Sequence, residues 1–353
     1  MSPSFWRGRR VLLTGHTGFK GGWLALWLSR LGAEVHGFAL DPPTDPSFSV
    51  ACAIDGRLAS STTGDITDAA AVHATMQRVR PQVILHLAAQ ALVRESYRAP
   101  VDTFRTNLLG TVHVLEAARA VDGLQAVVSV TTDKCYENRE WLWPYREGEP
   151  LGGRDPYSSS KACAELATAA YRRSFFDAAG VRVATARAGN VIGGGDWAAD
   201  RLVPDLLRAA DAGVSTPIRA PRAIRPWQHV LEPLAGYLEL AEALVERGDG
   251  LPAEWNFGPV EDDVRPVCWI ADRVTARVRG AAWHPDEAPH PHEAHTLRLD
   301  SSRARTLLGW RPRWSLDVAL DHTIDWHLAW RSGQDMTAVS LAQIDAYEAA
   351  RVP

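Results

Sequence analysis

Short apolar runs alternate with longer segments of helical periodicity over roughly the first 190 residues of the chain. Buried strands of parallel sheets are continuously apolar, whereas helices repeat apolar positions every three or four residues. On this basis the sequence predicts strands at 11–13, 34–40, 83–87, 126–130 and 181–186. Between them it predicts helices at 22–31, 69–79, 100–120 and 157–178. This alternation indicates an α/β domain built on a doubly wound parallel sheet.

The pattern changes after about residue 195, where prolines divide the chain into shorter segments. Helical periodicity recurs there at 202–212, 231–247 and 266–278. A chain of 353 residues also exceeds the size at which one hydrophobic core keeps growing. We therefore predict a large domain at 1–195, to which a segment at about 225–260 returns, a smaller C-terminal α+β lobe at 196–330, and a tail at 331–353 with a helix at 341–350.

The composition is that of an ordinary folded protein and argues against several kinds of partner. Hydrophobic residues make up 46% and charged residues 23% of the chain, which is untypical of disordered or fibrous proteins. The net charge of -4 offers no overall attraction to nucleic acid or to an anionic membrane, and no apolar segment reaches the ~18 residues that span a bilayer. The four cysteines show no CxxC spacing, so we expect no disulfides, no metal site and a cytoplasmic location.

Glycines between the first predicted strand and the first predicted helix carry the clearest chemical signal. Residues 15–21 read Gly-His-Thr-Gly-Phe-Lys-Gly, a GxxGxxG pattern. Gly15 permits a tight turn, Gly18 lets the backbone approach a diphosphate, and Gly21 allows the helix to pack closely on the strand. Because a helix N-terminus also offers N–H donors to an anion, this context favours a dinucleotide site over a structural turn.

Two carboxylates near the ends of the next strands are candidates for the adenosine half of such a cofactor. Asp41 stands twenty residues beyond Gly21, where a carboxylate accepts hydrogen bonds from both ribose hydroxyls and repels a 2′-phosphate. This favours NAD over NADP, although Asp41 also suits a plain turn ahead of a proline pair. Asp65 and Ile66 are expected beside the adenine, with a helix N-cap as the alternative for Asp65.

Tyr157 and Lys161 lie four residues apart in a predicted helix and therefore share one face. An ammonium beside a phenol stabilises the phenolate, so the sequence predicts a lowered pKa for Tyr157. Such a pair takes a proton from a sugar hydroxyl while hydride leaves the same carbon. The spacing is common by chance, and its position downstream of a dinucleotide loop is what makes it informative.

Together these residues resemble the extended short-chain dehydrogenase/reductase family of nucleotide-sugar enzymes, over roughly residues 8–330. The segments 86–90 and 187–191 and Asn107 also match the family pattern. The resemblance implies a Rossmann-type domain that holds NAD, a nucleotide-sugar lobe, and a homodimer or homotetramer paired through the helices at 100–120 and 157–178. The cofactor residues expected from the glycine segment and the resemblance together are Gly15, Thr17, Gly18, Phe19, Lys20, Gly21, Asp41, Asp65, Ile66, Leu87, Ala88, Ala89, Asn107, Tyr157 and Lys161.

The strand end before Tyr157 indicates the reaction. In sugar 4,6-dehydratases of this family the strand ends in Thr-Asp-Glu, with the aspartate as acid at the C6 hydroxyl and the glutamate as base at C5. Here residues 132–134 are Thr-Asp-Lys. Their continuation, Cys-Tyr-Glu-Asn, together with the glycine segment and the sequence Arg-Pro-Trp-Gln-His-Val at 225–230, resembles the branch of the family that acts on CDP-glucose.

For this branch the resemblance implies a lyase that oxidises C4 with bound NAD, eliminates water across C5 and C6 and returns hydride to C6. The product is CDP-4-dehydro-6-deoxy-D-glucose. We expect Lys134 as a neutral amine to take the C5 proton and Asp133 in its protonated form to protonate the departing C6 oxygen. Thr132, Tyr157 and Lys161 complete the expected catalytic set. Mutual attraction of Asp133 and Lys134 opposes both neutral forms, and a plain ion pair is the alternative.

Substrate recognition is expected in the second lobe, where three arginines fall within the seven residues 219–225. Guanidinium groups bind diphosphate oxygens bidentately, so a local cationic cluster in a net-acidic chain suits a nucleotide diphosphate. Arg222 is expected to be a surface residue. The residues expected to contact substrate are Gln90, Asn190, Arg201, Arg219 and Arg225.

Other interpretations stay open at this point. An epimerase or a 4,6-dehydratase acting on a UDP-, dTDP- or GDP-hexose would use the same fold, and no single residue identifies the nucleotide base. A non-catalytic NAD sensor is a third reading, against which the retention of Thr132, Tyr157 and Lys161 argues. The proline- and histidine-rich segment 286–295 is expected to be a solvated loop rather than a metal site.

Overall fold

The computed structural model describes residues 2–248, 250–288 and 294–350. Over these residues the strands are β1 (Arg10–Thr14), β2 (Glu34–Ala39), β3 (Ser60–Thr63), β4 (Val83–His86), β5 (Ala126–Val130), β6 (Arg182–Ala188), β7 (Asn190–Ile192), β8 (Ser215–Ile218), β9 (Ile224–His229), β10 (Glu254–Phe257), β11 (Val264–Pro266) and β12 (Ala282–Pro285). The helices are α1 (Pro3–Trp6), α2 (Phe19–Arg30), α3 (Phe48–Ala51), α4 (Ala69–Val79), α5 (Val93–Arg98), α6 (Pro100–Phe104), α7 (Thr111–Ala118), α8 (Pro156–Tyr171), α9 (Asp177–Ala179), α10 (Leu202–Ala212), α11 (Leu231–Arg247), α12 (Val267–Arg277), α13 (Leu316–Arg331) and α14 (Met336–Ala349).

One parallel sheet organises the larger part of the molecule, with the strand order β10–β6–β5–β4–β1–β2–β3. Its central strands are apolar on both faces because helices cover both. Val11 and Leu13 of β1 point into the hydrophobic cluster that contains α2 and α11, whereas Leu12 points into the cluster that contains α4 and α7. The predicted Rossmann-type doubly wound sheet is thereby confirmed.

One strand of the main sheet was not predicted from the apolar pattern, and one predicted helix is divided. Strand β3 has the sequence Ser-Ser-Thr-Thr and lies at the edge of the sheet, where alternate residues are exposed. The helix predicted at 100–120 is divided into α6, a π-helical segment at Arg105–Gly110, and α7. A Cβ at Gly110 would lie 2.6 Å from the Ile66 side chain, so the small residue lets this part of the helix approach the sheet closely.

A second group of elements lies beyond β6. Strands β11, β9 and β7 form a three-stranded sheet and β12 pairs with β8. Helices α10, α12 and α13 enclose a third hydrophobic cluster beside them. Strand β10, by contrast, pairs with β6 in the main sheet, and α11 packs on β5 and β6. The predicted boundary at residue 195 stays a prediction. The predicted tail contains α14, which begins five residues earlier than the sequence pattern indicates.

The strand order reverses between β1 and β4, and in open α/β sheets ligands bind outside the carboxyl ends of the strands at such a point. The Thr14 hydroxyl fixes these two ends, because it accepts hydrogen bonds from the backbone N–H groups of Leu87 and Ala88, each at 3.1 Å. No helix in the described ranges has the length and apolar character to cross a lipid bilayer.

Candidate active site

A cavity of about 1170 Å³ opens at the carboxyl ends of the central strands. It extends from the glycine segment 15–21, past β4 and β5, to the elements beyond β6. Every residue predicted for the site lines this cavity except two, Asn107 and Asp133. Nearly all the residues that the sequence predicts for the site therefore lie around one cavity.

The glycine segment forms the narrow part of the cavity wall. Gly15 has a φ of +79°, and a Cβ there would lie 2.8 Å from the backbone nitrogen of Ala88. A Cβ on Gly21 would overlap the carbonyl group of Gly15. Helix α2 begins directly after Gly18, its N-cap residue. The loop therefore has the close approach and the helix N-terminus that a diphosphate requires.

Asp41 and Asp65 line the end of the cavity beyond β2 and β3. The Thr17 hydroxyl donates to the carbonyl of Leu40 at 2.9 Å and so ties the glycine segment to the loop that carries Asp41. Asp65 accepts a hydrogen bond from the backbone N–H of Thr67 at 2.8 Å, so its carboxylate stabilises its own turn. Asp65 also lines the cavity, and its expected position beside the adenine stays a prediction.

Tyr157 and Lys161 lie on the first turns of α8 and are both buried against the cavity. Asp155 is the N-cap of this helix, and its carboxylate accepts a hydrogen bond from the Ser158 N–H at 2.8 Å. Lys161 donates to the carbonyl oxygen of Val130 at 3.1 Å, and burial lowers its pKa to about 8. The lowered pKa that the sequence predicts for Tyr157 is wrong for this structure. Burial raises the pKa of Tyr157 to about 12, and a hydrogen bond with Thr132 offsets only part of that rise.

The residues after β5 form a short turn in which one hydroxyl has several partners. Thr132 Oγ1 accepts from the backbone N–H of Lys134 at 3.3 Å and donates to Asp133 Oδ1 at 3.1 Å. Lys134 Nζ donates to the same carboxylate oxygen at 3.3 Å. The Lys134 side chain is 29% exposed and lines the cavity, whereas Asp133 is fully buried. Thr132, Lys134 and Tyr157 therefore line one cavity, whereas the Asp133 carboxylate lies behind its wall.

Asn107, the other predicted residue outside the cavity lining, is also buried behind its wall. Its amide donates to the carbonyl of Gln90 at 3.0 Å and to the Ser160 hydroxyl at 2.9 Å, and its oxygen accepts from the Gln90 N–H at 2.8 Å. These contacts suit a supporting role for Asn107, and its contact with the cofactor stays a prediction. Asn107 holds the backbone of Gln90, which does line the cavity.

Arginines and carboxylates alternate at the far end of the cavity. Arg201, the N-cap of α10, pairs with Asp196 at 2.8 Å. Arg219 and Arg94 both donate to one oxygen of Asp200, at 3.2 and 3.0 Å. Asp200 itself has a left-handed φ of +62°. Arg225 lines the cavity with a hydrogen bond from Nη1 to the carbonyl of Ile224, while Arg222 is exposed, as expected. These cations surround space that an anionic group fits.

A family model described as GDP-mannose 4,6 dehydratase matches residues 12–323. The chain belongs to this family. The CDP-glucose 4,6-dehydratase of Salmonella typhimurium (strain LT2) is 50% identical over 356 residues and covers 99% of each chain. The dTDP-glucose 4,6-dehydratase of Streptomyces antibioticus is 30% identical over 270 residues, which is 75% of each chain. Among solved structures, TunA, described as an NAD-dependent NDP-hexosamine 5,6-dehydratase, superposes with a TM-score of 0.76 at 26% identity, over 92% of this chain and 98% of TunA.

These similarities confirm the resemblance to nucleotide-sugar dehydratases that the sequence motifs indicate. Some interactions at the site of this GDP-mannose 4,6 dehydratase family member were not predicted, although Arg187 belongs to the segment 187–191 that matches the family pattern. Beneath the turn after β5, Arg187 of β6 pairs bidentately with Glu165 of α8 at 2.7 and 2.9 Å. Asp200 and Arg94 were missed as well, since they are 106 residues apart and meet only in the folded chain. A possible signal for Glu165 is its place four residues beyond Lys161.

The sequence predicts no metal site, and the structure can be compared with this prediction over the described residues alone. Among the described residues, no group of three or more histidine, cysteine, aspartate or glutamate side chains comes together as a metal site. Residues 289–293, which hold two of the histidines of the proline-rich loop, lie outside the described residues.

Proposed function

We propose that this protein is an NAD-dependent hydro-lyase that converts CDP-D-glucose to CDP-4-dehydro-6-deoxy-D-glucose and water. The observation that carries the proposal is the position of Thr132, Lys134, Tyr157 and Lys161 on one cavity wall, continuous with the glycine loop. The choice of CDP-glucose is supported by the relative of that name, which is 50% identical over nearly all of both chains. The loop sequence Thr-Asp-Lys at 132–134 supports the same branch.

The residues present fit an NAD molecule. The close approach of Gly15 to the loop after β4 and the start of α2 suit its diphosphate, and the Asp41 carboxylate at the cavity edge would suit a ribose that carries no 2′-phosphate. When bound, NAD would supply the hydride acceptor for C4 and the hydride donor for C6 within one turnover, so no external reductant would be consumed. Tyr157 and Lys161 would lie at the nicotinamide end of the cofactor.

The protein side chains would supply the proton chemistry and hold the substrate. Tyr157 takes the proton of the C4 hydroxyl, and the Lys161 ammonium stabilises the resulting charge distribution. Asp133 and Lys134 handle the protons of the elimination step. Arginines bind the diphosphate because their planar groups match two phosphate oxygens at once. The set proposed for the substrate is Gln90, Asn190, Arg201, Arg219 and Arg225.

The acid and base groups next to Thr132 favour a lyase over an epimerase. A 4-epimerase oxidises and reduces the same carbon and has no water to expel. The Asp133–Lys134 pair belongs to the turn that begins at Thr132, and Lys134 lines the cavity. A group that exchanges protons at C5 and C6 is needed only when water leaves.

Incubating the purified protein with CDP-glucose, without added reductant, tests the proposed function. We expect a ketosugar that absorbs in alkali and a product that has lost one water by mass spectrometry. Parallel reactions with UDP-, dTDP- and GDP-glucose measure the base preference. A C4 epimer as the only product would assign the protein to the epimerases. Equal or faster turnover of another nucleotide sugar would move the substrate away from CDP-glucose.

We also propose that two copies of the chain pair through the helices around α6, α7 and α8. Apolar side chains are exposed on this surface, among them Val101 (77%), Leu166 (60%) and Leu109 (48%). Large apolar side chains exposed on helices that pack against each other are typical of interfaces. A Leu166→Glu variant should then shift to monomer in light scattering. Leu142→Glu, which changes a leucine elsewhere that is more exposed (78%) than Leu166, is the control and should leave the assembly intact.

A further inference from the structure

Helix α14, near the C-terminal end of the chain, packs on the side of the molecule that holds the glycine segment. It lies against α13 and against α2, the helix that begins at the glycine segment. The family model ends at residue 323, so α14 lies beyond the part of the chain that this model matches. None of its residues, all of which the structure describes, lines the cavity. An effect of α14 on binding must therefore pass through its neighbours.

The C-terminal end of α14 is fixed to α2 and α11 by polar contacts. The Tyr347 hydroxyl donates to Glu232 Oε2 of α11 at 2.7 Å. Glu348 accepts hydrogen bonds from Trp27 Nε1 at 2.8 Å and from Arg30 Nη1 at 2.7 Å, both in α2. The rings of Trp27 and Tyr347 also meet edge to face, with centroids 5.6 Å apart. This end of the helix is therefore docked on the element that begins at the proposed diphosphate site.

The N-terminal end of α14 contacts α3, the short helix between β2 and β3. The Thr337 hydroxyl donates to the carbonyl oxygen of Cys52, the C-cap of α3, at 2.9 Å. The Ser340 hydroxyl lies 3.4 Å from Cys52 Sγ and accepts a hydrogen bond from Trp326 Nε1 at 2.8 Å. These contacts are buried, and they hold the end of α3 against α14.

Helix α3 in turn forms part of the cavity wall beyond β2. Phe48, its first residue, lines the cavity and stacks on Trp23 of α2 with ring centroids 4.7 Å apart. A Cβ on Gly22 would lie 2.6 Å from the Phe48 ring, so this ring sits directly on α2. The segment that leads into α3 contributes Asp41 and residues 43–45 to the cavity wall. Contacts therefore run without a break from α14 to the residues proposed for the adenosine half of NAD.

We propose that α14 is a positioning element for NAD, which holds α3 and the segment 41–45 in the conformation that binds the adenosine half of the cofactor. The inference rests on the placement of NAD in the proposed function. A binding loop that is already ordered pays less conformational entropy when its ligand arrives. Without the contacts of Thr337 and Ser340, NAD would have to order this part of the wall itself, and its affinity would fall.

The double variant Thr337→Val/Ser340→Ala tests the proposal, because it removes both hydroxyls that contact Cys52 and leaves those of Tyr347 and Glu348 in place. We expect NAD to bind about tenfold more weakly in isothermal titration calorimetry, as for two lost hydrogen bonds. At saturating NAD, kcat and the KM for CDP-glucose should be unchanged.

The two halves of the cofactor, used as separate probes, locate the loss. The affinity for AMP should fall by the same factor as that for NAD, whereas nicotinamide mononucleotide should bind as it does to the unmodified protein. Gln343→Leu is the matched control on the same helix, because Gln343 Nε2 donates to the carbonyl of His322 in α13 at 2.8 Å. This variant should lose stability in calorimetry and keep its affinity for both NAD and AMP.

Unchanged affinity for NAD and AMP in the folded double variant would overturn the inference, as would an equal loss for AMP and nicotinamide mononucleotide. If circular dichroism shows that the double variant does not fold, Thr337→Val alone supports the same comparison with a loss of about threefold. The titrations use no sugar. Failure of the proposed function has a different signature, in which the unmodified protein binds NAD but forms no dehydrated product from CDP-glucose.

Discussion

The two ends of the cavity are built from different kinds of contact. At the glycine end, the wall is backbone: Gly15 lies against the loop after β4, and Gly21 lies against Gly15 itself. At the arginine end, the wall is made of charged side chains, with Arg219 and Arg94 meeting on Asp200 and with Arg201 on Asp196. One end tolerates almost no added atom, while the other depends on charge and adjusts by rotation of long side chains.

This difference follows from what each end is proposed to bind. A diphosphate in a dinucleotide approaches the backbone closely and in one geometry, so packing decides whether it fits. Guanidinium groups reach their anion through flexible side chains, and partly exposed ion pairs contribute little individually. We therefore expect steep, salt-independent effects from changes at the glycine end and shallow, salt-dependent effects at the arginine end.

Removing the Tyr157 hydroxyl should have the largest effect on activity. The change removes the group proposed to take the C4 hydroxyl proton, and it leaves the glycine end and the arginine end of the cavity unaltered. Tyr157→Phe should lower kcat roughly 10³-fold through loss of proton transfer from the C4 hydroxyl. Ketosugar formation from CDP-glucose measures the rate, and binding of NAD and of CDP-glucose should stay near that of the unmodified protein. A weakened affinity that accounts for the whole loss would place Tyr157 in binding instead.

Gly21→Ala should have the next largest effect and probes the glycine end directly. The added Cβ overlaps the carbonyl of Gly15, so the loop must open or the helix must shift. We expect NAD affinity to fall about 100-fold or the domain to lose about 2 kcal/mol of unfolding free energy, as for overpacked cores. Gly56→Ala is the matched control, because nothing lies within 4 Å of its added Cβ. Equal behaviour of the two variants in calorimetry would contradict the account of this end.

The pH dependence of activity should report on Lys161. Burial lowers the pKa of its ammonium to about 8, so the charged form is lost as pH rises through that value and kcat should fall by up to tenfold per pH unit above it. In Lys161→Arg the guanidinium stays charged, and the descent should move to higher pH.

Lys20 is the control for this profile, because burial lowers its pKa to about 7, with further lowering from the charge of Arg201. A Lys20→Met variant should keep the descent near pH 8. If the fall in kcat near pH 8 disappears in Lys20→Met but persists in Lys161→Arg, the titrating group is Lys20 and the assignment to Lys161 is wrong.

Contacts between distant residues mark the limit of what the sequence could predict. The positions of the central strands, the glycine turn and the common face of Tyr157 and Lys161 follow from local periodicity and spacing, and the structure has them. The burial of Asp133 does not, since it depends on how β5, β6 and α8 pack around it. The contact between Arg94 and Asp200 joins residues 106 positions apart, for which no local pattern exists.

The elevated pKa of Tyr157 shows the same limit in electrostatic terms. Spacing places an ammonium on the same face of α8, but only the folded structure shows that Lys161 donates to the Val130 carbonyl and that burial dominates. Strand β3 could not be recognised because its four residues are all serine or threonine.

Asp200→Asn should have the smallest effect and probes the arginine end. The change removes the charge that holds Arg94 and Arg219 in place, so KM for CDP-glucose should rise about five-fold with little change in kcat, corresponding to about 1 kcal/mol. The increase should shrink as ionic strength rises. Glu116→Gln, which breaks an ion pair with Arg119 outside the cavity, is the control. A salt-independent loss as large as that of Gly21→Ala would remove the distinction between the two ends.

The central claim is that C4 of a hexose is oxidised and C6 of the same hexose is reduced in a single cavity. CDP-glucose carrying deuterium at C4 tests it most directly, with the product examined by NMR. We predict that the deuterium appears in the C6 methyl group of the 4-dehydro-6-deoxy product, with hydrogen from water at C5. Deuterium retained at C4, or lost to the solvent, would contradict the account.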